Sequence, residues 1–152
     1  MYKRQGGDTI DHTVAPVLTS EPGIRVPHTL TPSPKAQGVL TPVPLIQLAY
    51  GRSGDKGDKA NIGIVARQSE YLPYIWAALT PEVVASCFSR FLDGRVERFL
   101  LPGIHAINFV LHDVLGGGGI ASLRNDAQGK GYAQILLAQR IDLPAPLAER
   151  IT

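Results

Sequence analysis

Apolar residues in this chain come in short bursts, and the spacing within a burst switches between strand-like and helix-like from Pro44 onward. Leu45-Ile-Gln-Leu-Ala-Tyr50 is a compact apolar run that predicts a strand entering a charged loop. Ile62-Gly-Ile-Val-Ala66, rich in β-branched residues, predicts a second strand leaving that loop. Ser69 can cap a helix carrying Tyr71, Leu72, Ile75, Trp76 and Leu79, with Pro73 confined to its first turn. Thr80-Pro81-Glu82 opens another helix, running to about Leu92 with Val83, Val84, Cys87, Phe88 and Phe91 on one stripe and Asp93-Gly94 closing it. Arg95 to Leu101 alternates polar and apolar, the mark of a strand with one wet face, and stops at Pro102-Gly103. Ile107, Val110, Leu111, Val114 and Leu115 fall at helical spacing, with Gly116 placed for a left-handed C-cap. Ile120 to Arg124 reads as a strand and Asn125 to Gly131 as a turn. A last helix carries Tyr132, Ile135, Leu136 and Gln139, and Arg140 to Leu143 adds a short edge strand. Because the first two strands are joined by a loop, the pattern predicts a two-layer α+β domain over residues 43–152, with helices on one face of a mixed or antiparallel sheet.

Residues 1–42 lack either periodicity. They hold six of the twelve prolines, many Thr and Ser, and the Pro32–Pro34 and repeated Thr-Pro patterns that favour extended backbone. They predict a proline-rich arm, either disordered or lying along another surface, its own or a neighbour's. The 152 residues suit one domain with a real core, and a net charge of +2 gives no reason to expect wholesale nucleic-acid binding. With Cys87 as the single cysteine there is no internal disulfide framework. No apolar run reaches the roughly 20 residues of a membrane span, and Met-Tyr-Lys-Arg is not followed by the apolar stretch of a signal peptide. The expectation is a cytoplasmic protein with neither a membrane nor a nucleic-acid partner.

Chemistry concentrates in two stretches. Gly51-Arg-Ser-Gly-Asp-Lys-Gly-Asp-Lys-Ala-Asn61 packs three glycines and six ionic or hydroxyl side chains between two apolar runs. Bared backbone N–H groups beside alternating charges suit an anion, alone or with its metal. Arg52, Ser53, Gly54, Lys56 and Gly57 are candidate anion partners, and Asn61 can orient a polar ligand. Asp55 and Asp58 can answer the lysines, hold Mg²⁺ through water, or act as acid/base groups. The alternative is a self-neutralising surface loop whose ion pairs contribute roughly 0–1 kcal/mol each. The second stretch is Gly116-Gly-Gly-Gly119 with Arg124, Asp126 and Lys130. Four consecutive glycines cost up to about 1 kcal/mol each in regular structure, so they imply close approach of a ligand, close approach of another backbone, or a mobile loop. Gly117, Gly118, Arg124 and Lys130 join the ligand candidates, and Asp126 joins the catalytic ones.

Several motifs are excluded. Gly54 and Gly57 stand too close for a P-loop, and Lys59 is followed by Ala60. Gly116-x-Gly118-x-x-Ala121 meets a dinucleotide fingerprint only formally, since it follows a helix-like stretch and enters a strand-like one. No zinc-ligand spacing and no Gly-x-Ser-x-Gly elbow is present, so no metal site is expected and no cofactor is indicated. His112, four residues after Asn108, shares its side of the predicted helix and reads as surface. Cys87 lies in an apolar stripe and reads as an inert thiol.

Arg52-Ser-Gly-Asp-Lys-Gly-Asp58, Ala60-Asn-Ile-Gly-Ile64, Asn108-Phe-Val-Leu111 and Leu115 through Lys130 together resemble the C-terminal domain of the acyclic terpene utilisation (AtuA-like) proteins, over residues 44–143. The resemblance implies a small ferredoxin-like α+β domain that usually follows a much larger one, in a family associated with degradation of branched acyclic terpenoids as CoA thioesters. It implies no assigned catalytic residues, and Asn125 departs from the apolar residue expected between Arg124 and Asp126. Two functions follow. In one, the two glycine-rich loops bind an anionic small molecule, an acyl-CoA or carboxylate. In the other, the chain is a non-catalytic accessory subunit that docks a larger AtuA-type partner, with pairing into a homo-oligomer through an open sheet face or edge.

Overall fold

A computed structural model describes residues 38–151. In chain order its elements are β1 (Leu40–Pro44), α1 (Leu45–Leu48), β2 (Ala49–Lys56), β3 (Lys59–Ala66), α2 (Leu72–Ala78), α3 (Pro81–Cys87), β4 (Val96–Leu101), β5 (Ala106–Leu111), α4 (Tyr132–Leu137), β6 (Arg140–Pro144) and α5 (Ala145–Ala148). Four strands form one antiparallel sheet in the order β2-β3-β5-β4, and β1 pairs with β6 in a second, two-stranded sheet. The predicted two-layer α+β architecture is what the chain adopts, with a wholly antiparallel main sheet. Residues 40–42 lie in β1, while the rest of the proline-rich arm, residues 1–37, lies outside the described residues.

The core forms on one face of the main sheet. Ala60, Ile62 and Ile64 of β3 alternate inward, as do Ile107, Phe109 and Leu111 of β5, and all six are buried. The helices supply Ile75, Val84, Phe88, Leu136 and Leu137 against them. Period-two alternation on the two central strands is the signature of a sheet covered on one side. Arg98 of β4 also points to the helix side. Its guanidinium stacks 3.6 Å from the Trp76 ring centroid and donates to the carbonyls of Trp76 (2.5 Å) and Leu79 (2.9 Å). It thereby satisfies carbonyls left over at the end of α2.

Several sequence expectations are corrected. Leu45–Leu48 is a single helical turn, not a strand, because its buried leucines stand three apart and Ile46 between them is exposed. The charged stretch after it is not a loop. It is the β2–β3 hairpin, with only Gly57 and Asp58 outside the ladder. The stretch from Ile107 to Leu115 is not a helix: Ile107, Phe109 and Leu111 are the buried set, and their spacing of two places β5 in the sheet centre. The helical reading arose because Ile107, Val110, Leu111 and Val114 also satisfy a 3.6-residue period. Ile120 to Arg124 forms turns, not a strand. α3 stops at Cys87, and Phe88 to Phe91 continue as turns. Thr80 does cap α3, accepting from the Val83 N–H at 3.3 Å, whereas Ser69 caps nothing and instead begins a 3-10 turn leading into α2.

The open face of the sheet is defined by register. Across β2, β3, β5 and β4 its rows are Tyr50–Val65–Ala106–Leu101, Arg52–Gly63–Asn108–Phe99 and Gly54–Asn61–Val110–Glu97. The two faces predict opposite responses to truncation. Phe109→Ala should lose about 3–5 kcal/mol of unfolding free energy, whereas Phe99→Ala should change it by less than about 0.5 kcal/mol. Urea denaturation of the two variants measures both.

Candidate functional site

Asp58 and Gly117 are 59 residues apart in sequence, yet the fold brings the two glycine-rich stretches into contact. The hairpin turn Gly57-Asp58 lies against Gly116–Gly118, joined by the Asp58 side chain and by backbone. Asp58 Oδ1 accepts N–H bonds from Leu115 (3.1 Å) and Gly117 (2.8 Å), while the Asp58 carbonyl accepts from Val114 (3.1 Å). Gly118 has φ +65°, and a Cβ there would overlap the Gly57 carbonyl. No other residue fits, both for the left-handed conformation and for the space. The amides that hold an anion belong to the second stretch, at Leu115 and Gly117. That anion is the chain's own Asp58 carboxylate.

Other candidates are engaged in the same way. Ser53 is only 8% exposed. Its hydroxyl donates to the Lys130 carbonyl (3.0 Å) and accepts from the Ala133 N–H (2.9 Å), fastening β2 to the start of α4. Asp126 accepts from the N–H groups of Lys130 and Gly131, both at 2.8 Å, and so closes the turn that precedes α4. Arg124 donates to the carbonyls of Val114 and, at 3.2 Å, Phe91, with its guanidinium 5.7 Å from the Phe91 ring centroid. Five donors in a rigid fork suit it to tying two loops to one point. Asn61 Nδ2 donates to Asn108 Oδ1 at 2.9 Å on the open sheet face, a partnership between strands β3 and β5.

What remains free of such ties is cationic. Among the described residues the side chains of Arg52, Lys56 and Lys59 make no hydrogen bond or ion pair, and strand alternation places all three on the open face of the hairpin. Lys130 Nζ sits 4.0 Å from Asp55 Oδ1 and beside Gly54, where a Cβ would approach it to 3.0 Å. That pair is largely solvated and contributes at most about 1 kcal/mol. At the far edge, Glu97 is drawn below the usual carboxylate range first by its hydrogen bond from Arg95 and then by His112. His112 Nε2 lies 3.2 Å from Glu97 Oε2, within ion-pair distance but off the line of a well-formed hydrogen bond. His112 is therefore beside a strand and mostly buried, not on the predicted helix. Burial pushes the Cys87 thiol up, which leaves it a poor nucleophile at neutral pH. Among the described residues no three His, Cys, Asp or Glu side chains gather as a metal site would need, and no helix is long and apolar enough to cross a membrane.

A family model described as the AtuA ferredoxin-like domain matches residues 43–142. The chain belongs to that family. The match spans the main sheet, α1 to α4 and the first three residues of β6, so the interlocked glycine stretches lie inside it. No curated protein and no solved structure matches the chain.

Two features were not read from sequence. Ile120 and Leu123, assigned to a strand, stand fully in solvent at 107% and 101% exposure on a loop. Tyr50, Phe99 and Leu101 are exposed on the open sheet face. The glycines on both sides of Ile120–Leu123, at 116–119 and 129, were the available signal for a loop held out from the body. The interlock carries a prediction. Asp58→Ala should lower stability by about 1–3 kcal/mol, having left two amides without their acceptor, and Asp55→Ala should stay within about 0.5 kcal/mol of the parent. Chemical denaturation distinguishes these two neighbouring aspartates.

Proposed function

We propose that this AtuA-family domain is a docking module that seats a larger AtuA-type domain on the open face of its four-stranded sheet. One observation carries the reading. Of the candidate groups, Asp58, Asp126, Arg124 and Ser53 are consumed in holding loops together and Asp55 faces Lys130, while the sheet face opposite the helices leaves Tyr50, Val65, Phe99 and Leu101 partly exposed. Contiguous exposed apolar surface rimmed by charge is the usual mark of a protein contact. Beside it stand Arg52, Lys56 and Lys59 on the hairpin and Glu97 across the sheet on β4. The test is binding of the full chain to a separately produced AtuA-type larger domain, read by calorimetry. Phe99→Asp with Leu101→Asp should weaken that binding at least 30-fold, matching the loss of about 2 kcal/mol or more at a central contact residue. Unchanged affinity in a folded double variant would remove the reading.

A second reading is kept because of a specific feature, the three unpartnered cations on the hairpin's open face. Arg52, Lys56 and Lys59 would there bind an anionic small molecule, an acyl-CoA or a carboxylate from branched acyl breakdown. Saturating ligand should then raise the melting temperature, since about 2.7 kcal/mol of native-state stabilisation accompanies a hundredfold excess over Kd. The panel is CoA, short branched acyl-CoAs, free carboxylates and phosphate. Arg52→Ala with Lys56→Ala should abolish the shift, and no shift with any of these compounds counts against the reading.

A further inference from the structure

The loop from Gly119 to Leu123 presents Ile120 and Leu123 entirely to water, and it is not a slack loop. Its near end is fixed by Asp58 through Leu115 and Gly117, and its far end by Arg124 through Val114 and Phe91. Inside it, Ala121 and Ser122 both donate to the Gly118 carbonyl (3.0 and 3.3 Å), and the Ser122 hydroxyl accepts from the Arg124 N–H (3.3 Å). A loop anchored at both ends and braced within does not hold two large aliphatic side chains in water to any internal advantage. Such preorganisation lowers the entropy lost when a surface is docked.

The complementary feature begins at the next residue. Arg124, Asn125 and Asp126 form one wall of a groove of about 510 Å³ whose apolar lining is Phe91, Tyr132 and Ile135. Phe91 and Tyr132 stack with centroids 5.9 Å apart at its base. Loop and groove share a rim, and the rigid loop stands out from it, so its tip is free to enter the groove of a facing molecule. We infer that the occupant is a second copy of this chain. A two-fold axis near Leu123 and Arg124 sends each loop into the other molecule's groove. That exchange uses both features at once and closes, without leaving a repeat that could grow.

Area sets the strength of the pair. The transfer coefficient assigns each aliphatic side chain roughly 60–120 Å² of apolar surface. Four such chains and the shallow apolar lining of the two grooves therefore give roughly 400–650 Å², well below the 1,200 Å² or so of standard interfaces. The result is a weak, concentration-dependent dimer. It is independent of the docking module reading, because loop and groove belong to the helix layer and not to the open sheet face.

Sedimentation equilibrium of the full chain from 5 µM to 1 mM, about the range such an area permits, tests the exchange. The parent should move from monomer towards dimer across that range. Ile120→Ser with Leu123→Ser should remain monomeric throughout, as should Ile135→Arg, with circular dichroism and melting temperature confirming that both fold. A parent that stays monomeric at 1 mM overturns the proposal and leaves the loop to some other occupant. So does a loop variant that dimerises like the parent, or an assembly beyond two.

Discussion

The Asp58 carboxylate is the fixed point on which the polar half of this domain depends. By accepting from Leu115 and Gly117 it joins the tip of the β2–β3 hairpin to the segment that leaves β5, two stretches that share no sheet hydrogen bonds there. The consequences run outward. Gly118 must be glycine because the Gly57 backbone lies where a side chain would go. Arg124 can then reach Val114 and Phe91, Asp126 can close the turn before α4, and Ser53 can clasp α4 from the other side. Charge-assisted hydrogen bonds of this kind are roughly twice as strong as neutral ones. They do here what hydrophobic packing does in the rest of the domain, since a glycine-rich segment brings almost no apolar surface of its own.

A glycine-rich, charge-rich stretch therefore carries two meanings that composition cannot separate. Bared amides attract an anion, and the anion can be a ligand or a side chain from the same chain. Sequence spacing within 51–61 looked like a binding loop because Asp58 and Gly117 are far apart in the chain, and only the fold reveals that they meet. Of the three options for the glycine run, ligand approach, backbone approach or mobility, backbone approach accounts for Gly118. The local readings that held are Thr80 as the cap of α3 and Asn125 to Gly131 as a turn, whereas Cys87 is only partly buried.

The fold itself was legible where apolar periodicity had one interpretation. The α4 helix, the β6 edge strand, the alternation of β4 and the start of α3 all follow from spacing together with caps and breakers. β5 was misread because Ile107, Val110, Leu111 and Val114 satisfy the helical period while Ile107, Phe109 and Leu111 satisfy the strand period. Burial on a central strand decides between them, and burial is a tertiary fact. Leu45–Leu48 failed for the opposite reason, a run too short to contain a full period of either kind. Ile120 and Leu123 were assigned to a strand, and being aliphatic did not guarantee that either would be buried.

That last error bears on what the domain is for. A chain gains by burying aliphatic side chains, so a rigid segment that keeps two of them fully in water has given up stabilisation that a modest rearrangement would recover. Mobility cannot explain it, because both ends and the middle of the segment are hydrogen-bonded. The same holds, less sharply, for the row of Tyr50, Val65 and Leu101 on the open sheet face, where Arg67 stacking 3.9 Å over the Tyr50 ring covers only one member. On the two proposals above, the apolar surfaces lie on different layers and would serve different partners. The groove beside Ile120 and Leu123 matches that loop in chemistry and in place, which suits a copy of the chain itself. The sheet face has no such counterpart among the described residues, which suits a different domain. A small module can then be paired through its helices and loaded through its sheet without one contact blocking the other.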